Sequence, residues 1–182
     1  MPNTFSSDII AKMKTTITTT KETTCAFTGN RPHKLPWGED ESDYRCLAVK
    51  QRILDTIKVA IDGGYNTFIT GMAQGGDTYF AEAVLQLKKY YPIKLICAIP
   101  CLEQTNGWSN ADKERYNQIL GQADESIVLS DHYSRYCMHK RNRYMVDNSS
   151  LIIVMDYTED GGTLSTRQYA KKQGLQIVEV GL

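Results

Sequence analysis

Residues 69–77 of the chain read ITGMAQGGD. They join a short apolar run to an amphipathic run in which Phe80, Val84 and Leu87 share one helical face, so the stretch predicts a strand, a tight turn and a helix. Three glycines in the turn can expose successive backbone N–H groups at the helix N-terminus, which favours an anion or nucleotide site over a merely tight turn. The turn matches neither the Walker A loop nor the G-x-G-x-x-G pattern.

The same alternation of strand and helix recurs along the chain. Most of the predicted strands are continuous apolar runs, as in parallel sheets covered on both faces. The fold class is therefore α/β: a three-layer Rossmann-like sandwich with a parallel sheet of about six strands and helices on both faces. The predicted strands are Thr24–Thr28, Asn66–Thr70, Ile93–Ile99, Ser126–Ser130, Leu151–Met155 and Leu175–Val180. The predicted helices run from Ser42 to about Asp62, from Asp77 towards Pro92, from Ser109 to about Gly121, from about Tyr136 to Asn148, and from Thr163 to Gly174.

Length and composition predict one globular domain. The chain has 182 residues, and residues 1–23 are rich in Thr, Ser and Lys, so we expect a flexible N-terminal tail over 1–23 and a single domain over 24–182. The 21 basic residues balance the 21 acidic ones, which makes nucleic acid an unlikely partner because duplex DNA is held mainly by a basic excess.

The five cysteines lack metal-site spacing, so we expect reduced core thiols and no metal. No apolar run is long enough to span a membrane and no secretory signal is visible, which predicts a cytoplasmic protein without a membrane partner.

In parallel α/β folds ligands bind beyond the carboxyl ends of the strands, so the residues that follow each strand are the candidates. Thr28, Gly29 and Arg31 follow the first strand, where a glycine turn and an arginine suit an anion, although a plain turn with a surface arginine fits equally well. Gly71, Gly75, Gly76 and Asp77 follow the second strand. Asp77 is expected to cap the helix or to contact ribose hydroxyls.

Two further strand ends carry candidates. Gln104 and Trp108 follow the third strand and are suited to contact a base, although an ordinary packing role for Trp108 is at least as well supported. On the helix after the fourth strand, Arg141 and Asn142 flank the apolar stripe of Met138 and Met145. We expect Arg141 to face a ligand; a structural salt bridge is the alternative.

The fifth strand is followed by Gly161, Gly162 and Thr163, which open a helix with free N–H groups and a hydroxyl. A mobile acidic loop with Thr163 as a simple cap is the alternative. Two glycine-rich junctions in one domain nevertheless favour a nucleotide or phosphosugar ligand.

The chain resembles the YpsA-like branch of the SLOG superfamily over about residues 24–181. This superfamily is related to the lonely-guy phosphoribohydrolases and to the Smf/DprA proteins that process DNA. The resemblance rests on the segments Cys25–Pro32, Ile69–Asp77, Ala81-Glu82, Ala98–Cys101, Arg141-Asn142, Tyr144–Asp147 and Gly161–Thr163. It implies a parallel sheet with a nucleotide-type ligand at its carboxyl edge, a ligand such as ADP-ribose or NAD, and a homo-oligomer, for example a dimer.

The resemblance to the hydrolases is incomplete in one loop. Their M-x-x-R-K helix is matched from Met138 to Asn142, with Asn142 in place of the lysine, whereas their G-G-x-G-T-x-x-E loop is matched only in part. Its glutamate falls on Thr166, or on Ser165 in a shifted register, and a hydroxyl cannot stabilise an oxocarbenium-like state as a carboxylate does.

The sequence therefore favours a binding or sensing module for a nucleoside monophosphate, ADP-ribose or an NAD-like ligand, with no certain cofactor. The alternative is a phosphoribohydrolase with Arg141 and Glu82, or Asp77, as the residues that act on the N-glycosidic bond. DprA-like handling of single-stranded DNA is a third hypothesis, and the zero net charge makes it the least favoured.

Overall fold

A computed structural model describes residues 17–181, and it places six parallel strands in one sheet. The strand order is β4-β3-β2-β1-β5-β6, so the direction of chain progression reverses between β1 and β5. The predicted α/β class and parallel sheet are confirmed. The strands are β1 (Thr24–Gly29), β2 (Thr67–Thr70), β3 (Lys94–Ile99), β4 (Glu125–Val128), β5 (Leu151–Met155) and β6 (Gln176–Glu179).

Helices cover both faces of the sheet. One apolar core joins helices α1 to α3 to one face, where Phe27 stacks on Phe80 at 4.7 Å between ring centroids. A smaller core joins α4 and α5 to the other face through Met145, Val146 and Ala170. Full burial of a large apolar side chain contributes roughly 1.5–3 kcal/mol, so these two cores hold the helices on the two faces of the sheet. The helices are α1 (Tyr44–Asp62), α2 (Gly76–Leu87), α3 (Asn110–Gln122), α4 (Cys137–Asp147) and α5 (Gly161–Lys172).

The helix starts differ from the sequence predictions at three places. Asp43, not Ser42, caps α1 by accepting a hydrogen bond from the Arg45 amide. Helix α2 begins two residues early, because Gly75 and not Asp77 is its N-cap, and α5 begins at Gly161 instead of Thr163. Only Asp43 makes a side-chain capping bond, since Gly75 and Asp160 make none, and local sequence does not place a helix end to better than one or two residues. The predicted cap of α3 is confirmed, because Ser109 accepts from the Asp112 amide.

The first residues described belong to the stretch that we expected to be flexible. Residues 1–16 of that stretch lie outside the described part of the chain. Within 17–23, the Ile17 carbonyl accepts from Lys94 Nζ at 2.7 Å and the Glu22 carbonyl accepts from Ser150 Oγ at 2.9 Å. Residues 21–23 form a short 3-10 helix. Residues 17–23 thus contact the amino edge of the sheet, where two of their carbonyl groups accept from side-chain donors.

All five cysteines are buried and free of disulfide bonds. The residues from 17 to 181 include no helix that is both long and apolar enough to cross a bilayer.

Candidate functional site

A cavity of about 270 Å³ opens at the carboxyl edge of the sheet, beside the reversal between β1 and β5. We call it the Arg141 cavity. It brings together eight of the residues predicted from sequence, which come from the end of β1, the loop after it and the helices α2, α4 and α5: Thr28, Gly29, Arg31, Asp77, Arg141, Asn142, Gly162 and Thr163. Its other lining residues are Asn30, His33, Lys34, Ala73, Met138 and Met145. Gly71, Gly75, Gly76, Gly161 and Glu82 do not line it.

Arg141 is held rigidly in the wall of the cavity. Its side chain is buried, Nη1 donates to the Gly71 carbonyl oxygen, and Nε donates to Asn142 Oδ1 at 2.6 Å. Its Nη1 lies 3.8 Å from Asp77 Oδ2. Burial lowers the pKa of Arg141, and the Asp77 charge opposes that shift. Arginine nevertheless remains protonated in proteins, so the cavity contains a preorganised cation.

Asp77 lies in the first turn of α2 and is almost completely buried. Its Oδ2 accepts from the Ala73 amide at 3.1 Å, so the carboxylate folds the loop before the helix back onto itself. Burial raises the pKa of Asp77 above its ordinary value, while the Arg141 charge and the Ala73 amide act in the opposite direction. The expectation that Asp77 caps α2 is corrected, because Gly75 is the N-cap.

The glycines of the β2–α2 loop are accounted for by close packing. A Cβ atom on Gly71 would overlap the Arg141 guanidinium, and one on Gly76 would lie 3.1 Å from the Gly29 Cα atom. Gly75 has a φ of +83°, which disfavours residues with a side chain. The loop therefore brings α2 close to β1 and leaves room for Arg141.

Arg31 is exposed, and its side chain forms no hydrogen bond or ion pair with any residue of 17–181. Its charge nevertheless acts on both Asp77 and Arg141. Lys34 reaches the same cavity from the 3-10 turn Pro32–Lys34 and pairs with Asp160. Three cations thus line the cavity against one carboxylate, and Arg31 is the cation whose charge is unpaired.

Asn30 is a site residue that sequence analysis missed. It is 2% exposed, and its Nδ2 donates to Asp156 Oδ1 at 3.3 Å while its Oδ1 accepts from the Tyr157 amide at 2.6 Å. It thereby ties the end of β1 to the β5–α5 loop across a separation of 126 residues along the chain. The only sign of Asn30 in the sequence was its place between Gly29 and Arg31. Its burial depends on the neighbouring strand β5 and the loop after it, which the local sequence does not show.

The N-terminus of α5 opens onto the cavity through Gly162 and Thr163. The first N–H groups of a helix lack intrahelical partners, and Asp160 makes no side-chain capping bond to them. Thr166, which stands at the position of the hydrolase glutamate, donates to the Gly162 carbonyl at 2.7 Å and does not line the cavity.

Glu82 lies elsewhere, on the side of α2 that faces α3. Both of its carboxylate oxygens accept from Arg115, at 2.6 and 2.8 Å, and Arg115 also pairs with Glu41. Asp77 is therefore the one carboxylate among the residues that line the Arg141 cavity. Among residues 17–181, no group of three His, Cys, Asp or Glu side chains is arranged to hold a metal ion.

Two solved structures share the fold. The structure of DNA processing protein A from Streptococcus pneumoniae matches 87% of this chain and 50% of its own, with a TM-score of 0.60 and 21% identity. A structure of DNA processing protein A from Helicobacter pylori, described by its single-stranded DNA binding mode, matches 88% and 65%, with a TM-score of 0.59 and 17% identity. The chain thus spans only half to two thirds of these proteins, and identities this low indicate the fold alone.

Comparison of sequences identifies the family of the chain more specifically than the shared fold does. An uncharacterized SPbeta prophage-derived protein, YoqJ of Bacillus subtilis, is 36% identical over 141 residues, which cover 69% of this chain and 82% of that protein. A family model described as the YspA SLOG family matches residues 25–178, which include every strand of the sheet except the last residue of β6 and the first residue of β1. The chain therefore belongs to the YspA SLOG family, the YpsA-like group that its motifs resemble.

Proposed function

We propose that the chain binds a nucleotide-derived ligand by placing a phosphate group in the Arg141 cavity. The observation that carries this proposal is the unpaired Arg31 side chain beside the buried, preorganised Arg141. A solvated arginine and a fixed arginine that lie close together repel each other, and a phosphate between them would remove that repulsion and accept hydrogen bonds from both.

Two other features support an anion at this place. The N-terminus of α5, where Asp160 makes no side-chain capping bond, presents its first turn and the helix dipole to the cavity. The cavity volume of about 270 Å³ is near the lower end of the range for small-molecule sites, which suits a mononucleotide or the phosphate part of a larger molecule.

Titration calorimetry with AMP, ADP-ribose and NAD tests the proposal. We expect binding by the wild-type chain and a loss of about tenfold or more in affinity for Arg31→Ala, because a charge-assisted hydrogen bond contributes on the order of 1.5–3 kcal/mol. Arg167→Ala is the matched control, since Arg167 lies on α5 away from the cavity and pairs with Glu179. Absence of binding at millimolar concentration, or equal affinity of the Arg31 variant, would refute the proposal.

A phosphoribohydrolase remains the second candidate, because a buried carboxylate does lie in the cavity. In that case Asp77, whose pKa is raised by burial, would be the carboxyl group that acts on the N-glycosidic bond. Glu82, which lies outside the cavity, would contribute only by its ion pair with Arg115. Incubation with AMP would then release adenine and ribose 5-phosphate. The Asp77→Asn variant should release none while Glu82→Gln retains activity; release by both variants at the wild-type rate would exclude this role of Asp77.

Single-stranded DNA binding is the third candidate. The fold shared with the DNA processing proteins favours it, whereas the zero net charge of the chain argues against it. A gel shift with a single-stranded oligonucleotide at low salt tests it. A complex that Arg31→Ala weakens would support DNA as the ligand of the same cavity, and no shift would exclude it.

We also propose a homo-oligomer, by analogy with related proteins. Light scattering coupled to size exclusion would show a mass at a multiple of 20.6 kDa.

A further inference from the structure

A second cavity of about 380 Å³ lies next to the Arg141 cavity, and the proposed function does not use it. We call it the Trp108 cavity. The residues that line it are Pro32, Glu39, Glu41, Gln74, Gly75, Thr78, Tyr79, Trp108, Ser109, Asp112, Arg115 and Tyr116. It combines three aromatic rings with three carboxylates and one arginine.

Only the backbone of two loops separates the cavities. Arg31 lines the first cavity and Pro32 the second; Ala73 lines the first and Gly75 the second. These loops touch each other, because a Cβ atom on Gly75 would lie 3.0 Å from the Pro32 Cδ atom, and the Gly76 amide donates to the Asn30 carbonyl at 3.1 Å. A ligand that crosses these two loops would occupy both cavities.

The two cavities have opposite charge. The Arg141 cavity has three cations against Asp77, whereas the Trp108 cavity has Glu39, Glu41 and Asp112 against Arg115 alone. Arg115 is already paired with Glu41 and Glu82, so it offers little charge to a ligand. Glu39 is exposed, and its side chain forms no ion pair within 17–181. The Trp108 cavity therefore rejects a second phosphate and accepts hydrogen-bond donors.

Trp108 supplies a surface for a ring. It is partly exposed and packs edge-on against Tyr116 at 5.6 Å between centroids, which leaves part of the indole open to the cavity. Aromatic side chains bind flat rings in this way with both dispersion and quadrupole attraction. Gln104, the other base-contact candidate from the sequence, is 8% exposed and does not line either cavity.

A buried chain of hydrogen bonds joins the two cavities. Tyr116 Oη donates to Gln104 Oε1 at 3.2 Å, and Gln104 Nε2 donates to the Gly71 carbonyl at 2.9 Å. The same carbonyl oxygen accepts from Arg141. The walls of both cavities are thus parts of one rigid unit, and a ligand that spans them meets a surface that is already formed.

We infer that the Trp108 cavity binds the ring-bearing end of the same ligand, so that the chain takes a two-part nucleotide derivative. The phosphate lies against Arg31 and Arg141, and a neutral or cationic ring with hydrogen-bond donors lies against Trp108 and the carboxylates. This inference rests on the proposed function, since it takes the Arg141 cavity as the phosphate site.

Calorimetry with two probes tests the inference. Ribose 5-phosphate fills only the Arg141 cavity, whereas ADP-ribose is long enough to enter both. We expect ADP-ribose to bind the wild-type chain at least about tenfold more tightly, because a stacked ring adds one factor of ten or more. Trp108→Ala should remove that gain and leave the affinity for ribose 5-phosphate unchanged within about twofold. Tyr90→Ala, an exposed aromatic outside both cavities, is the control and should change neither affinity.

Two further measurements guard against a folding defect of Trp108→Ala. Glu39→Gln changes an exposed carboxylate and should also weaken ADP-ribose without affecting ribose 5-phosphate. Because the chain has two tryptophans, Trp37→Phe leaves Trp108 as the single indole, and its emission should change with ADP-ribose and not with ribose 5-phosphate.

The experiments distinguish failure of the ring site in the Trp108 cavity from failure of the phosphate site in the Arg141 cavity. If ribose 5-phosphate and ADP-ribose bind equally, or if Trp108→Ala binds ADP-ribose as the wild type does, the two-part ligand is wrong and the phosphate site stands. If neither probe binds the wild type, both the phosphate site and the inference fail.

Discussion

The Arg141 guanidinium lies directly against the backbone of Gly71. Its Nη1 donates to the Gly71 carbonyl oxygen, and a Cβ atom on Gly71 would lie 2.5 Å from the Arg141 Cζ atom. The loop at the end of β2 and the helix that supplies the buried cation are therefore fitted to each other. A glycine that looked like a phosphate contact in the sequence makes room for the arginine.

Gly71→Ala should displace Arg141 and destabilise the fold by about 2 kcal/mol, as overpacking of a closed site does. Urea denaturation measures the change. Gly121→Ala is the control, because nothing lies within 4 Å of a Cβ atom there and alanine favours its helix, α3. An alanine at position 71 that leaves both stability and nucleotide affinity unchanged would contradict this contact.

Asn30→Ala should loosen the β5–α5 loop. The change removes the donor to Asp156 and the acceptor of the Tyr157 amide, so we expect a loss of about 1–3 kcal/mol. Hydrogen exchange of residues 156–160 should accelerate more than exchange in β3. Asn106→Ala, at an exposed loop position, should change neither quantity, and equal protection of the loop in both variants would show that Asn30 does not hold it.

Glu41 should contribute stability that depends on pH. Burial raises its pKa, but hydrogen bonds from Arg115 and Lys50 outweigh burial and hold it below the ordinary value of 4.5. The contribution is therefore complete above about pH 4.5 and is lost as the pH falls through the lowered pKa. Glu41→Gln should cost about 1 kcal/mol at pH 7, after allowance for screening by solvent, and much less near pH 3. Denaturation midpoints of the two proteins that differ equally at both pH values would rule out this linkage.

Asp160→Asn should increase affinity for a small anion. Asp160 pairs with Lys34 and stands at the N-cap of α5, so its carboxylate competes with a phosphate for the same positive region. We expect a gain of about two- to fivefold for ribose 5-phosphate at low salt, and a smaller gain at 0.5 M salt because the charges are exposed. A matched change outside the cavity, Glu179→Gln at the end of the edge strand β6, should produce no gain. Calorimetry at the two salt concentrations decides between these outcomes.

Much of the fold could be predicted from local pattern. Strand β5 coincides with the apolar run Leu151–Met155, and α3 begins directly after Ser109, where the sequence placed its start. The buried face of helix α1 does not follow from hydrophobicity alone, since Leu47 is 55% exposed while Cys46 and Val49 are buried. An amphipathic pattern indicates that a helix has a buried face, but packing against the neighbouring elements determines which residues form that face.

The candidate site was predicted in part. Arg31, Arg141 and Thr163 lie on the loop or helix that follows a strand, and the rule that parallel strands bring their carboxyl ends to one edge sufficed to group them. Glu82 could not be placed in this way, because its partner Arg115 lies 33 residues further along the chain. The Trp108 cavity also depends on contacts between the 39–41 loop, α2 and α3, which no local pattern reveals.

The sequence by itself determined the α/β class, the residues that follow each strand, and the membership in the YspA SLOG family. Those properties depend on apolar periodicity, caps and glycine motifs, which are local. Only the tertiary structure decided that β1 lies between β2 and β5, and this order brings Arg31, Asp77 and Arg141 to one cavity. It also decided that Gly71 makes room for Arg141 and that Asn30 ties two loops together. These contacts join residues 70 and more positions apart, so their geometry follows from how the layers pack and not from any stretch of the chain.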